Sequence, residues 1–179
     1  MKRYFQKRIF GVTLIQVAYD NCSDCRVCDS AAAMIKHTFI LKEGVWTARG
    51  RYFNEKMEPF PLEGKTTVSH AEESWVIDSR MKLLGRKEIE FQNLYRVTPF
   101  APGARTANWE SYNPSVGILS GKFIIAGDSI ISTCASKNGA YEGVEYLQLH
   151  SEGRYFNRGA FLEGMTILSS WEIEMQLLD

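Results

Sequence analysis

The chain has 179 residues, 45% hydrophobic and 23% charged, with 21 basic against 21 acidic side chains and a formal net charge of zero. That length suits one domain with a well-buried core, and the charge balance argues against a nucleic-acid or membrane-surface protein, which carries a basic excess or stripe. No apolar run is long enough to cross a bilayer, and three of the four cysteines form one tight cluster, which suits metal or redox chemistry in a reducing cytoplasm better than a secreted disulfide framework.

Lys2-Arg3-Tyr4-Phe5-Gln6-Lys7-Arg8 precedes the apolar stretch Ile9 to Tyr19. The outline is that of a signal peptide, but Gln16 lies inside the stretch and no small-residue cleavage site follows, so a retained segment is expected. Ile9 to Tyr19 is rich in β-branched residues and predicts a strand. Asn21 to Ser30 is a polar loop holding Cys22, Cys25 and Cys28, and Ala31-Ala32-Ala33-Met34 gives at most one helical turn. Ile35 to Leu41 predicts a strand, and Lys42-Glu43-Gly44 a turn into a further strand. Asn54 to Pro61 contains Pro59 and Pro61 and predicts a loop, because a central strand needs the N–H that proline lacks.

From there a two-residue period takes over. Trp75, Ile77, Ser79, Met81 and Leu83 share one face; Ile89, Phe91, Tyr95 and Val97 share another; Ile167, Ser169, Trp171, Ile173, Met175 and Leu177 form the last. Such alternation marks antiparallel strands with one buried and one wet side. Gly85-Arg86, Ala126-Gly127-Asp128, Lys137-Asn138-Gly139 and Ser151-Glu152-Gly153 read as hairpin connections, and Pro99 to Gly103 as a longer loop. Gly50-Arg51-Tyr52-Phe53-Asn54 recurs as Gly153-Arg154-Tyr155-Phe156-Asn157, and Leu62-Glu63-Gly64 as Leu162-Glu163-Gly164. One strand–turn–strand unit used early and late predicts first and last strands brought together. The expected fold is all-β, an antiparallel up-and-down barrel of about ten strands with little helix. It forms one domain over 1–179, with 1–43 leading in and 44–179 the main meander.

Gly44-x-Trp46, followed by alternating small residues and Tyr52, resembles the first barrel strand of the lipocalin-like (calycin) superfamily, nitrobindin-type barrels above all. Ala48 stands where that strand carries a glycine, and Gly50 matches. The resemblance implies a barrel with an interior cavity. Nitrobindin-like proteins hold haem through a histidine in the closing strand, and residues 165–179 contain none, so haem is not expected. Fatty-acid-binding relatives clamp a carboxylate with a late-strand arginine, and none follows Arg158.

Among candidate sites, Cys22-x-x-Cys25-x-x-Cys28 has a spacing at which thiolates converge on zinc or an iron–sulfur cluster. Cys134, His37 or Asp24 would have to complete the shell through the fold; the bland reading is three loop cysteines. Lys65-Thr66 after Gly64 lacks the earlier glycine of a phosphate-binding loop, since Pro59 stands there. His37, His70 and His150 have no catalytic spacing; His70, beside Glu72 and Glu73, is expected at a turn where a barrel mouth would lie. Trp46, Tyr52, Trp75, Tyr155 and Trp171 (with Trp109) could line a cavity, although barrel aromatics more often simply pack. Arg51, like Arg49 and Arg154, would hold an anionic head group if it pointed inward, against the simpler outward reading. Glu145 interrupts the apolar series Tyr141, Leu147, Leu149, and its face is ambiguous.

The leading expectation is a cytoplasmic, non-enzymatic binding protein holding a small hydrophobic or amphipathic ligand through Trp46, Arg51, Tyr52, Trp75, Glu145, Tyr155 and Trp171. A metal- or cluster-dependent redox or sensor protein built on Cys22, Cys25 and Cys28 is the first alternative. A calycin-fold enzyme with His70 or Glu145 as acid–base group is the second. No nucleic acid or membrane partner is expected, and a homodimer is left open.

Overall fold

The computed structural model describes residues 4–9, 12–17, 37–85 and 88–178, with side chains from residue 37 onward. The chain divides into two compact units, Met1–Met34 and Ile35–Asp179.

In the first unit, β1 (Tyr4–Ile9) and β2 (Val12–Val17) pair antiparallel from Tyr4↔Val17 to Ile9↔Val12. The strand expected over Ile9 to Tyr19 corresponds to β2, and the preceding segment forms a second strand, β1, that pairs with it.

The second unit is a meander of ten strands: β3 (Gly44–Asn54), β4 (Pro59–His70), β5 (Trp75–Leu83), β6 (Ile89–Val97), β7 (Thr106–Asn113), β8 (Gly117–Ala126), β9 (Ser129–Ser136), β10 (Tyr141–Ser151), β11 (Arg154–Glu163) and β12 (Thr166–Leu177). Each pairs antiparallel with the next, and β12 pairs with β3 from Ser169↔Asn54 to Leu177↔Trp46, closing the barrel. No helix occurs among the described residues. Closure satisfies the first and last strands together and leaves neither as an edge. Along each strand apolar and polar residues alternate, so one set of side chains must point in. In β7, Ala107, Trp109 and Ser111 are buried while Thr106, Asn108, Glu110 and Tyr112 face water.

The strand expected at Ile35 to Leu41 is instead a turn: residues 39–42 reverse the chain, with the Lys42 amide donating to the Thr38 carbonyl at 2.9 Å. Phe39 and Ile40 are buried at 5% and 1% exposure and plug one end of the barrel. Two apolar side chains have a closed floor to cover here and no open sheet edge to join. His37 fastens this plug: its Nδ1 takes the Tyr155 hydroxyl proton at 3.1 Å and its Nε2–H donates to the Gly127 carbonyl at 3.0 Å. The Tyr155 hydroxyl in turn accepts the Thr38 amide at 2.9 Å. On the other side, His70 Nε2–H donates to the Ile40 carbonyl at 2.7 Å.

Pro59 and Pro61, expected in a loop, lie in β4, opposite Phe53 and Arg51. The Pro61 carbonyl accepts the Leu84 amide at 2.8 Å, so the proline edge faces β5. The regular β4–β5 ladder stops at Leu62↔Leu83, so at Pro59 and Pro61 no ladder bond needs the missing N–H. The repeated segments are not equivalent hairpins either. Gly50 and Gly64 are mid-strand, whereas Gly153 and Gly164 are turn glycines with φ of 70° and 56°. First and last strands do pair, but because the barrel closes, not because one hairpin is copied.

Candidate functional site

Burial grades along the barrel axis. At the plugged end Trp46, Tyr155, Ile130, Leu147, Val97 and Val68 are at most 2% exposed. Toward the opposite end the inward side chains Tyr52, Phe60, Met81, Phe91, Leu119 and Trp171 are only partly covered. These rings and chains point into the barrel and are less completely covered than those of the floor. The described residues thus form a cup whose floor is fully packed and whose upper half is less completely covered.

The cup has one ionisable carboxyl. Glu145 pairs with Ser132 of β9 and Gly159 of β11, both on the inner face. Its carboxyl lies on the inner face, and desolvation there raises its pKa above the ordinary 4.5, against a smaller lowering by Asn157. The residue nonetheless retains an intermediate share of accessible area. Asn157, 7% exposed, donates from Nδ2 to Glu145 Oε1 at 3.4 Å and accepts the Trp171 indole N–H at 3.2 Å. Three strands thereby present a chain of carboxylate, amide and indole.

A glycine makes this arrangement possible. Gly159 stands between Glu145 and Trp171 in the ladder, and a Cβ there would meet Trp171 Cζ2 at 2.4 Å and the Val144 carbonyl at 2.6 Å. Without that atom the indole lies flat on the wall beside Glu145. Across the barrel Tyr95, also inward, has its phenol raised by burial and then by the Glu145 charge. Burial and Glu145 together push the Cys134 thiol up to about 11. Both acids are therefore neutral near pH 7, and Glu145 is the group in this chamber that can carry charge. No described lysine or arginine faces it: all are exposed except Lys82, which sits on the outer wall against Glu88.

The wall has a seam. β6 and β7 pair only from Tyr95↔Ser111 to Val97↔Trp109, so Ile89 to Leu94 of β6 have no β7 partner. Tyr95 sits at the foot of this seam.

Of the residues expected to bind ligand, Tyr52, Glu145 and Trp171 come together in the upper chamber. Trp46 and Tyr155 are floor residues with 0% exposure. Trp75 stacks on His70 with ring centroids 3.9 Å apart, at the plugged end. His70 is thus in the floor and not at the mouth, because its ring fastens the Ile40 turn. Arg51 points outward, its Nε donating to Glu172 at 2.7 Å, and cannot hold an interior head group. Asn157, Tyr95 and Gly159 were missed; a polar residue within the inward series Tyr155, Asn157, Gly159 was the available signal. Cys22, Cys25 and Cys28 lie outside the described residues. Among the described residues no three His, Cys, Asp or Glu side chains converge as a metal site, and both His37 nitrogens are engaged. On the outer wall a groove of about 570 Å³ crosses Gly121 between Asn108 and Thr133, open to solvent and away from the Glu145 carboxyl.

No protein-family model matches the chain, and no curated protein matches it in sequence. Among solved structures, an S-type phycobiliprotein lyase from Guillardia theta aligns with a TM-score of 0.56 over 79% of this chain and 91% of its own, at 8% identity. The chain shares the fold of that protein, here a closed antiparallel barrel of ten strands. A protein named as an AttH candidate from Nitrosomonas europaea (TM-score 0.26, 14% identity, 78% of this chain and 51% of that one) is more distant. So is an N-terminal dehydratase from the difficidin assembly line (TM-score 0.25, 10% identity, 79% and 81%). At those scores neither informs the argument. Within the barrel the plugged floor and the less completely covered upper half are the features that bear on use.

Proposed function

We propose that this barrel is a binding cup for one small hydrophobic or amphipathic molecule. The observation that carries the reading is the burial gradient: a floor packed to near-zero exposure beneath inward aromatic side chains left half covered. Burial of the guest's apolar body against Tyr52, Phe60, Phe91 and Trp171 would provide the driving force, at about 25 cal/mol per Å² removed from water. The carboxylate–amide–indole chain of Glu145, Asn157 and Trp171 would fix orientation, the usual division of labour in ligand pockets. A pigment-sized, conjugated guest is supported by the lyase neighbour, whose name refers to phycobiliproteins, and by ring faces available for stacking.

Holding without conversion is the better reading because, among the described residues, the groups facing Glu145 are Tyr95 and Cys134, both neutral near pH 7. The test is native mass spectrometry of protein purified without denaturation, followed by solvent extraction. A stoichiometric mass excess that leaves with the extract supports the cup. Protein at its bare mass that also fails to bind 8-anilinonaphthalene-1-sulfonate or any naphthalene probe would refute it.

A further inference from the structure

The charge inside the cup is one-sided. Glu145 faces into the barrel with a single protein donor, the Asn157 amide at 3.4 Å, and the groups facing it from β6 and β9, Tyr95 and Cys134, are neutral acids. An inward, desolvated carboxylate with one long hydrogen bond is an under-satisfied acceptor, and such groups are costly unless a partner arrives. The nearby surfaces are π faces: Trp171 on its Asn157 hydrogen bond, and Tyr52 directly opposite it in the β12–β3 ladder. Ring faces attract cations and disfavour anions. An anionic head group would meet a buried like charge with no described arginine or lysine to offset it.

We propose that the guest is a basic one: an aromatic or lipophilic body bearing a protonated, N–H-donating nitrogen that pairs with Glu145 while its ring system lies against Trp171. This rests on the cup reading and specifies it. Glu145 becomes the specificity-determining residue, with Asn157 as the positioning residue that holds the carboxylate beside the indole. The pairing excludes the fatty-acid mode of carboxylate recognition, which needs a cation on the wall.

The test compares three probes of one size, 2-naphthylmethylamine, 2-naphthalenemethanol and 2-naphthoate, by calorimetry on the full chain at pH 7.5. The amine should bind at least about tenfold tighter than the alcohol, the value of a charge-assisted hydrogen bond, and naphthoate weakest. Glu145→Gln should remove the amine's advantage over the alcohol; Asn157→Ser should reduce that advantage partway. Equal binding of amine and alcohol, preference for naphthoate, or an amine advantage that survives Glu145→Gln would each overturn the inference while leaving the cup standing. Failure of all three probes to bind would overturn both. The comparison among probes on the unaltered chain does not depend on any variant folding.

Discussion

The Tyr155 hydroxyl sits between the His37 ring and the backbone of the floor turn, giving its proton to Nδ1 at 3.1 Å and receiving the Thr38 amide at 2.9 Å. One oxygen on β11 therefore ties a segment 117 residues earlier to the barrel. Replacing Tyr155 by Phe keeps the packing but leaves a buried amide and an imidazole nitrogen without partners. A loss of about 1–3 kcal/mol is expected, read from urea midpoints. Faster hydrogen exchange at Thr38 and Phe39, with central β11 amides unchanged, would place the loss in the plug. Unchanged exchange at both would show that apolar packing alone holds it.

Gly159→Ala tests the wall beneath Trp171. The added Cβ would meet the ring at 2.4 Å and a backbone carbonyl at 2.6 Å, and the carbonyl cannot step aside as a side chain could. Overpacking of this kind costs about 1–3 kcal/mol. The Trp171 emission should shift as the ring leaves Asn157. A stable variant with unchanged emission would mean that the wall flexes there.

Stability should depend on pH through Glu145. Burial raises its folded-state pKa above 4.5, so between those two values the folded chain binds more protons than the unfolded one. Stability then falls as pH rises through that window, and the penalty is fully present above the folded value and absent below 4.5. Without guest, Glu145→Gln should be more stable than the parent at pH 7.5, with the difference vanishing near pH 4. Denaturant midpoints across that range give the comparison. A variant that is less stable at neutral pH would show the carboxylate already well paired.

Arg51→Ala should do little. Its side chain is 63% exposed and its partner Glu172 41%, and exposed ion pairs contribute from nothing to about 1 kcal/mol. Probe affinity should stay within about twofold, because the guanidinium lies on the far side of the wall from the chamber. A large loss of binding would put Arg51 back among the ligand residues.

Much of the barrel was legible in the chain because alternation is a property of neighbours. Trp75 to Leu83 and Ser169 to Leu177 must place every second residue on one side of any sheet they join, so strand identity and the inner set could be read directly. Gly44-x-Trp46 opens the first barrel strand as its resemblance to calycins implied. The proline-bearing start of β4 and the floor turn at Phe39 and Ile40 were not legible, since each depends on a distant partner: the end of the β5 ladder in one case, Tyr155 and Gly127 in the other.

By itself the sequence determined an antiparallel meander with aromatic inward positions, since a period of two and the turn residues are local facts. Only tertiary structure decided that Glu145 faces in, that Arg51 faces out and that His70 belongs to the floor. The reason is register. In β10 the set Glu142, Val144, Tyr146 and Gln148 is as mixed in polarity as the set Gly143, Glu145 and Leu147, and only the pairing of Glu145 with Ser132 and Gly159 shows which side is interior. The cup itself is a difference in packing between the barrel's two ends, and it exists only once all ten strands have closed.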